Sequence, residues 1–251
     1  MTQPTGNSFL IVGASGDIGF SCLESLSVLD VTIGAHCCSN TKRLELFIAE
    51  NKPKAKIRIF PSDLRTQKAS IQFVDEFVKW AGGLDGVIQL YGGLTKPMPW
   101  EDLDQQLWDN DIALNLSSAF FVAQAAVKNM KSFGGKIIFT STASASRGGG
   151  KTSLAYGVAK AGIECLTKGL AKDCAQYKIL VNAIAPGFIL TKAHTEKFGK
   201  TESDLFNRAQ MIPLTRAGTP EDVVRVVMFL LSQGGDYITG EILNISGGDW
   251  L

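Results

Sequence analysis

Tyr156 and Lys160 stand four residues apart in Tyr156-Gly157-Val158-Ala159-Lys160, the spacing at which two side chains stack on one face of a helix. A phenol and an ammonium so placed address one small volume. A half-buried Tyr beside a solvated Lys would show the same spacing, so the pair gains its meaning from its place in the chain. It follows an apolar strand whose tip, Ser141-Thr142-Ala143-Ser144, is rich in hydroxyls. The second chemical feature is Gly13-Ala14-Ser15-Gly16-Asp17-Ile18-Gly19. A glycine-rich turn that opens a helix lets backbone N–H groups approach a pyrophosphate, which the positive helix end then favours. Glycines also serve tight turns that need φ > 0, but directly after the first strand of a βαβ unit this pattern points to a dinucleotide.

Cys22, Cys37, Cys38, Cys165 and Cys174 are odd in number and form no C-x-x-C, which fits reduced thiols in a cytoplasmic protein. A thiol nucleophile would want a histidine partner, and there are two, His36 and His194. His36, next to Cys37 and Cys38, has the residue types of a metal site. In an apolar run it reads instead as a buried strand residue with small hydrophobic neighbours, and no metal is expected.

Short β-type runs alternate with helical stretches and must position these groups. The strands are 9–12, 31–35, 57–60, 86–90, 136–140, 179–184 and 241–245; the helices are 18–29, 41–51, 68–80, 154–175 and 220–232, with one helix or two in 100–131. Strands apolar on both faces and separated by helix-length crossovers predict a parallel sheet covered on both sides. The expected fold is therefore α/β, a Rossmann-like doubly wound parallel sheet with helices on both faces, whose ligands bind beyond the carboxyl ends of the strands. Nothing in the chain reads as a linker or a repeat, so residues 1–251 are taken as a single dinucleotide-binding domain.

Composition excludes several classes. Hydrophobic residues make up 45% and charged residues 20% of 251 residues, enough to bury a core and too apolar for disorder. A net charge of +1 argues against nucleic acid or an anionic membrane as partner. No apolar stretch approaches the roughly eighteen residues of a membrane span, and Met1-Thr2-Gln3-Pro4-Thr5-Gly6 lacks the basic start and apolar run of a secretory signal. A cytoplasmic location is expected.

Further motifs follow in a fixed order: Asp63-Leu64 after the third strand, Gly92 after the fourth, Asn115 within Ala113-Leu114-Asn115-Leu116, Asn182-Ala183-Ile184-Ala185-Pro186-Gly187 with Thr191, then Pro213-Leu214, Arg216, Gly218, Pro220-Glu221-Asp222, Tyr237-Ile238-Thr239-Gly240 and Ser246-Gly247-Gly248. With the glycine-rich turn and Tyr156-x-x-x-Lys160, this series resembles the short-chain dehydrogenase/reductase family over essentially the whole length. The group that contains 3-oxoacyl-carrier-protein reductases and small-ketone or sugar-alcohol dehydrogenases is the most similar. The resemblance implies NAD(P)(H)-dependent interconversion of a small-molecule carbonyl and a secondary alcohol by hydride transfer. Tyr156 would be the acid in reduction and the base in oxidation. Lys160 would lower the phenol's pKa together with the oxidised nicotinamide and hold the ribose hydroxyls, a hydroxyl at the end of the fifth strand would bond the substrate oxygen, and Asn115 would hold a relaying water. Cofactor contacts are expected from Gly13, Ser15, Asp17, Ile18, Gly19, Ser39, Asp63, Leu64, Gly92, Tyr156, Lys160, Pro186, Gly187, Ile189 and Thr191. Residues 192–212 correspond to the family's variable substrate lid. Members of this length are usually homotetramers or homodimers, paired through the helices after the fourth and fifth strands and the C-terminal segment, where Trp250 suits an interface or its own subunit.

The departures from the family pattern are equally specific. Val12 and Asp17 replace a Thr and a Gly, and a carboxylate at a phosphate turn is unfavourable unless it points outward. Gln89-Leu90-Tyr91-Gly92 replaces Asn-Asn-Ala-Gly, setting Tyr91 where a small residue leaves room for adenosine. The hydroxyl position counts forward onto Thr142 and backward from Tyr156 onto Ala143; Thr142 is taken, with Ser141 and Ser144 as alternatives. After the second strand, Cys38-Ser39-Asn40-Thr41-Lys42-Arg43 has no acid for a ribose 2′-hydroxyl and offers small donors and cations, so NADP(H) is favoured over NAD(H). The same residues would also serve as a helix cap and a solvated face. These departures keep a second reading open, a chain of the same fold with impaired or lost catalysis that serves as a nucleotide-binding or assembly subunit.

Overall fold

Phe9, Leu10, Ile11 and Val12 are all shielded from solvent because β1 (Ser8–Val12) runs through the middle of a sheet covered on both faces. The computed structural model describes residues 3–249; Trp250 lies outside the described residues. Phe9 and Ile11 point into one core with side chains of α1 (Asp17–Ser27) and, further on, of α9 (Pro220–Leu231). Leu10 and Val12 point into the other, with α3 (Gln67–Ala81), α5 (Ser118–Met130) and α6 (Leu154–Cys174). The period-two alternation of a strand thus feeds two hydrophobic layers, which is why these runs read as continuously apolar.

The remaining elements are β2 (Thr32–Cys37), α2 (Lys42–Asn51), β3 (Lys56–Pro61), β4 (Gly86–Gln89), α4 (Gln105–Ile112), β5 (Gly135–Thr140), β6 (Ile179–Pro186), α7 (Lys192–Glu196), α8 (Glu202–Gln210) and β7 (Ile242–Ile245). All seven strands are parallel, in the order β3-β2-β1-β4-β5-β6-β7. The order reverses between β1 and β4, with Val12 opposite Gln89, and a crevice opens at the carboxyl ends of such a switch point. The expected strands are all present, with ends displaced by one or two residues.

Two features were not foreseen. The stretch after β4 runs from α4 into α5 through a π-helical segment, Ala113–Ser117. Asn115 in that segment is buried and donates to the Asp111 carbonyl at 3.0 Å. The segment 192–212, expected to be the lid and termed the lid for that reason, contains two helices, α7 and α8. The second is closed by a capping box in which the Thr201 hydroxyl accepts from Asp204 N–H and the Asp204 carboxylate accepts from Thr201 N–H.

Candidate active site

The glycine-rich turn is held from behind by His36. Gly13 N–H donates to Nδ1 (3.1 Å), so the proton sits on Nε2, which donates to the Ser62 carbonyl at 2.8 Å. The His36 carbonyl accepts from Ala14 N–H at 2.7 Å. The side chain expected to be a plain buried strand residue thus ties β1, β2 and the end of β3 together beneath the turn. Burial pushes its pKa down to about 4 from 6.5. The unfolded chain takes up a proton here that the folded one refuses. This stability is therefore complete above about pH 6.5 and lost as pH falls towards 4, by up to about 3 kcal/mol. Urea midpoints at pH 7 and pH 4.5 test this: the acid loss is expected in the wild type and largely absent from His36→Asn. Equal slopes in both would assign the acid sensitivity elsewhere.

The turn itself admits no side chain at two points. Gly13 has φ +96°, and a Cβ there would lie 2.8 Å from Tyr91 N; a Cβ on Gly19 would lie 2.2 Å from the Gly13 carbonyl oxygen. The helix start therefore presses directly on the turn, and its first N–H groups have no acceptor within the helix.

Asp17 does not point outward. Its carboxylate accepts from Arg43 at 2.8 Å and from Lys192 N–H at 2.7 Å, and Arg43 also donates to the Ser15 carbonyl while lying over the Phe20 ring. Burial would raise the carboxyl's pKa, but the Arg43 and Lys192 bonds and their charges outweigh it and hold the group below its ordinary value. The carboxylate expected to repel a phosphate is neutralised in place, and it fastens the lid to the turn. Lys197 makes a second fastening, donating to the Leu94 carbonyl at 2.6 Å. Between turn and lid lies a cleft of about 590 Å³, lined by Gly13, Ser15, Gly16, Asp17, Ile18, Gly19, Leu90, Thr140 and Thr191, with Arg43, Lys192, Ala193, Glu196 and Lys197.

Tyr156 and Lys160 come off α6 and reach this cleft through Thr140, which lines it and whose carbonyl accepts from Lys160. Lys160 is buried and donates to the Thr140 carbonyl at 2.8 Å, its Nζ 5.7 Å from the Tyr156 ring centre. Asn115 accepts from Gly93 N–H at 2.8 Å, and a Cβ on Gly92 would lie 2.7 Å from its Oδ1 and 3.3 Å from Lys160 Nζ. Gly92, Asn115 and Lys160 therefore meet at one point. The hydroxyl that acts on the phenol is that of Thr142, which lies 3.3 Å from Ser144 Oγ and 3.5 Å from the Pro186 carbonyl. Ser141 is buried and committed to Glu164 and the Lys160 carbonyl. Burial pushes the Tyr156 phenol up to about 12, the Thr142 bond opposes this and the Asp111 carboxylate adds to it. Burial also pulls the Lys160 ammonium down to about 8. The side chains that act on the phenol are Thr142 and Asp111 and not Lys160, from which a lowering was expected, and burial dominates.

The comparisons with known proteins bear on this geometry. The family model for enoyl-(acyl carrier protein) reductase matches residues 13–249. The chain belongs to the short-chain dehydrogenase/reductase family. The versicolorin reductase of Emericella nidulans is 30% identical over 254 residues, covering 97% of this chain and 95% of the relative. The 3-oxoacyl-[acyl-carrier-protein] reductase of Aquifex aeolicus is 29% identical, covering 97% of each. Among solved structures, a short-chain type dehydrogenase/reductase from Mycobacterium ulcerans superposes with a TM-score of 0.89 at 26% identity over 100% of this chain and 91% of its own. Levodione reductase gives 0.90 at 25% identity over 97% of each chain.

For a short-chain dehydrogenase/reductase the implied group is a nicotinamide dinucleotide, and the cleft suits its pyrophosphate and nicotinamide end. Gly13 and Gly16 N–H are already bonded, so it is the first N–H groups of α1 that an anion would meet, and Thr140 Oγ1 is buried with no partner among the described residues. The adenine end is more occupied. Asp63 is held by Arg65 through both oxygens and receives the Tyr91 hydroxyl at 3.3 Å, and the Tyr91 ring stands edge-on to His36. The Leu64 and Ile189 side chains belong to the core, Ser39 is exposed on the loop after β2, and buried Pro186 ends β6, with half-buried Gly187 directly after it. Lys192, Ala193, Glu196 and Lys197 were missed as individual cleft residues. Their only signal was membership of the lid segment.

Proposed function

We propose that this short-chain dehydrogenase/reductase interconverts a small-molecule carbonyl and a secondary alcohol with NADP(H), in preference to NAD(H), using Tyr156 as acid and base. The observation that carries this reading is the convergence of Thr142, Tyr156, Lys160 and Asn115 next to Thr140, which lines the glycine-walled cleft and whose carbonyl holds Lys160. A nicotinamide dinucleotide bound there supplies or accepts the hydride. Gly13, Ser15, Ile18 and Gly19 would hold its phosphates, Lys160 its ribose hydroxyls, and Thr191 its ring end, with Ser39, Asp63, Leu64, Gly92, Pro186, Gly187 and Ile189 shaping the remainder. Thr142 orients the substrate oxygen towards the phenol and stabilises charge developing on it. Asn115, bonded to Gly93 beside Lys160, holds the path by which the ammonium exchanges protons with solvent.

Arg43 supports the NADP(H) preference. It is a cation between the phosphate turn and the loop after β2, where a ribose 2′-phosphate is read. Its partnership with Asp17 taxes that role. NADPH and NADH titrations followed by nicotinamide fluorescence test both points. Arg43→Ala is expected to weaken NADPH about tenfold and NADH little, and Asp17→Asn to tighten NADPH severalfold. Equal changes for both nucleotides would remove Arg43 from the discrimination.

The engaged adenine end favours a second reading, an assembly subunit without efficient catalysis. Wild-type protein that binds neither nucleotide would make that reading the leading one. A cytoplasmic homodimer or homotetramer is part of the proposal: Trp108, Phe120, Leu154 and Val158 expose apolar surface on α4, α5 and α6, the helices through which related chains pair. No helix of the described residues is long and apolar enough to cross a membrane.

A further inference from the structure

Three helices in the last third of the chain begin after a threonine. For α8 and α9 the residue three positions on is an aspartate, and Thr201–Asp204 and Thr219–Asp222 form reciprocal capping boxes. For α7 the same spacing pairs Thr191 with His194. The Thr191 hydroxyl makes no bond to the helix backbone and instead meets His194 Nδ1 at 3.1 Å. The Thr191 carbonyl oxygen lies 3.3 Å from the same nitrogen. A carbonyl oxygen cannot donate, so Nδ1 carries the hydrogen and shares it between the two oxygens. The imidazole is fixed by Phe188, edge to face at 5.0 Å and 80°. Arg208 covers the Phe188 ring and pairs with Asp249. Lys200 is the charged group that acts on the imidazole, and burial with that charge holds the ring below the usual histidine range.

Thr191 lines the cleft, and it is the hydroxyl of this residue that the imidazole meets. With one lone pair taken by His194, it keeps its own hydrogen and a second lone pair for a ligand, the complement of a primary amide, which offers a carbonyl oxygen and N–H together. We propose that His194 is a positioning residue that sets the Thr191 hydroxyl to receive the carboxamide of the nicotinamide ring. The inference rests on the reading that a nicotinamide dinucleotide fills the cleft.

The test compares ligands with and without that amide. Affinities of wild type, His194→Phe and His194→Asn are measured by calorimetry for NADPH and for 2′-phospho-ADP-ribose, which lacks the nicotinamide. Phe keeps the ring contact with Phe188 and removes the donor; Asn restores a short donor. His194→Phe is expected to weaken NADPH about five- to tenfold, the scale of one hydrogen bond, with the fragment unchanged and His194→Asn recovering most of the loss. Equal weakening of both ligands would make His194 a general support of the lid and overturn the proposal, as would unchanged NADPH affinity. Wild-type protein that binds neither ligand overturns the cofactor reading, and this one with it. Tight wild-type binding with an unaffected Phe variant overturns this one alone.

Discussion

Tyr156→Phe is expected to bind NADPH as the wild type does and to lose turnover of its carbonyl substrate by about two to four orders of magnitude, the contribution of a positioned acid or base. The reason lies in the contacts of the ring and of the oxygen. The ring is carried by α6 and is unchanged in the variant. The oxygen meets Thr142, and its removal leaves a hydroxyl that still has Ser144 within 3.3 Å. No buried charge is stranded, because a phenol whose pKa is about 12 is neutral at working pH. Fluorescence titration and kcat/KM on a ketone panel separate the outcomes. Retained turnover would remove Tyr156 from proton transfer; nucleotide affinity lost in step with turnover would make its role architectural.

Lys160→Met should do two opposite things, ending turnover and stabilising the empty protein. The ammonium is buried and, among the described residues, hydrogen-bonds to the Thr140 carbonyl, and burial pulls its pKa from 10.5 to about 8. Keeping it charged at pH 7 therefore costs the fold about 3 kcal/mol, part of which the lost bond to Thr140 returns. Met has similar length and no charge, so a gain of about 1–3 kcal/mol is expected at pH 7. The folded pKa lies below the unfolded one, so the wild type gains stability as pH rises from about 8 to 10.5 and draws level with the variant across that window. Denaturant midpoints at pH 7 and pH 10 decide the matter: a variant less stable than wild type at pH 7 would show that the ammonium is a structural asset. A group that weakens the fold where it sits is the expected mark of a residue kept for its chemistry.

The β-sheet was legible because runs such as Phe9–Val12 and Gly86–Leu90 must be buried on both faces. The pair Tyr156 and Lys160 was legible because helical spacing fixes which side chains share a face. The lid helices were not. Lys192–Glu196 is too short to show an apolar period, although Thr201 and Asp204 carried a capping signal that went unread. His36 looked like an ordinary core residue, since only the fold brings Gly13 N–H and the Ser62 carbonyl to its two nitrogens. The orientation of Asp17 depended on Arg43 and Lys192, one of them 175 positions away in sequence, and no local pattern reports such a meeting.

The pairing of β1 with β4, Phe9 opposite Gly86, has a consequence for the order in which the protein comes into being. The glycine-rich turn leaves the ribosome well before β4, yet one wall of the cleft begins with Leu90, just past the end of β4. Three complete βα units must be made and held in waiting before β4 can insert beside β1. Non-local parallel pairings of this kind close slowly, because the entropy of the intervening chain is lost before the contacts repay it. The nucleotide site is thus among the later parts of the molecule to mature, and a nascent chain that stalls before β4 carries the turn with no crevice around it.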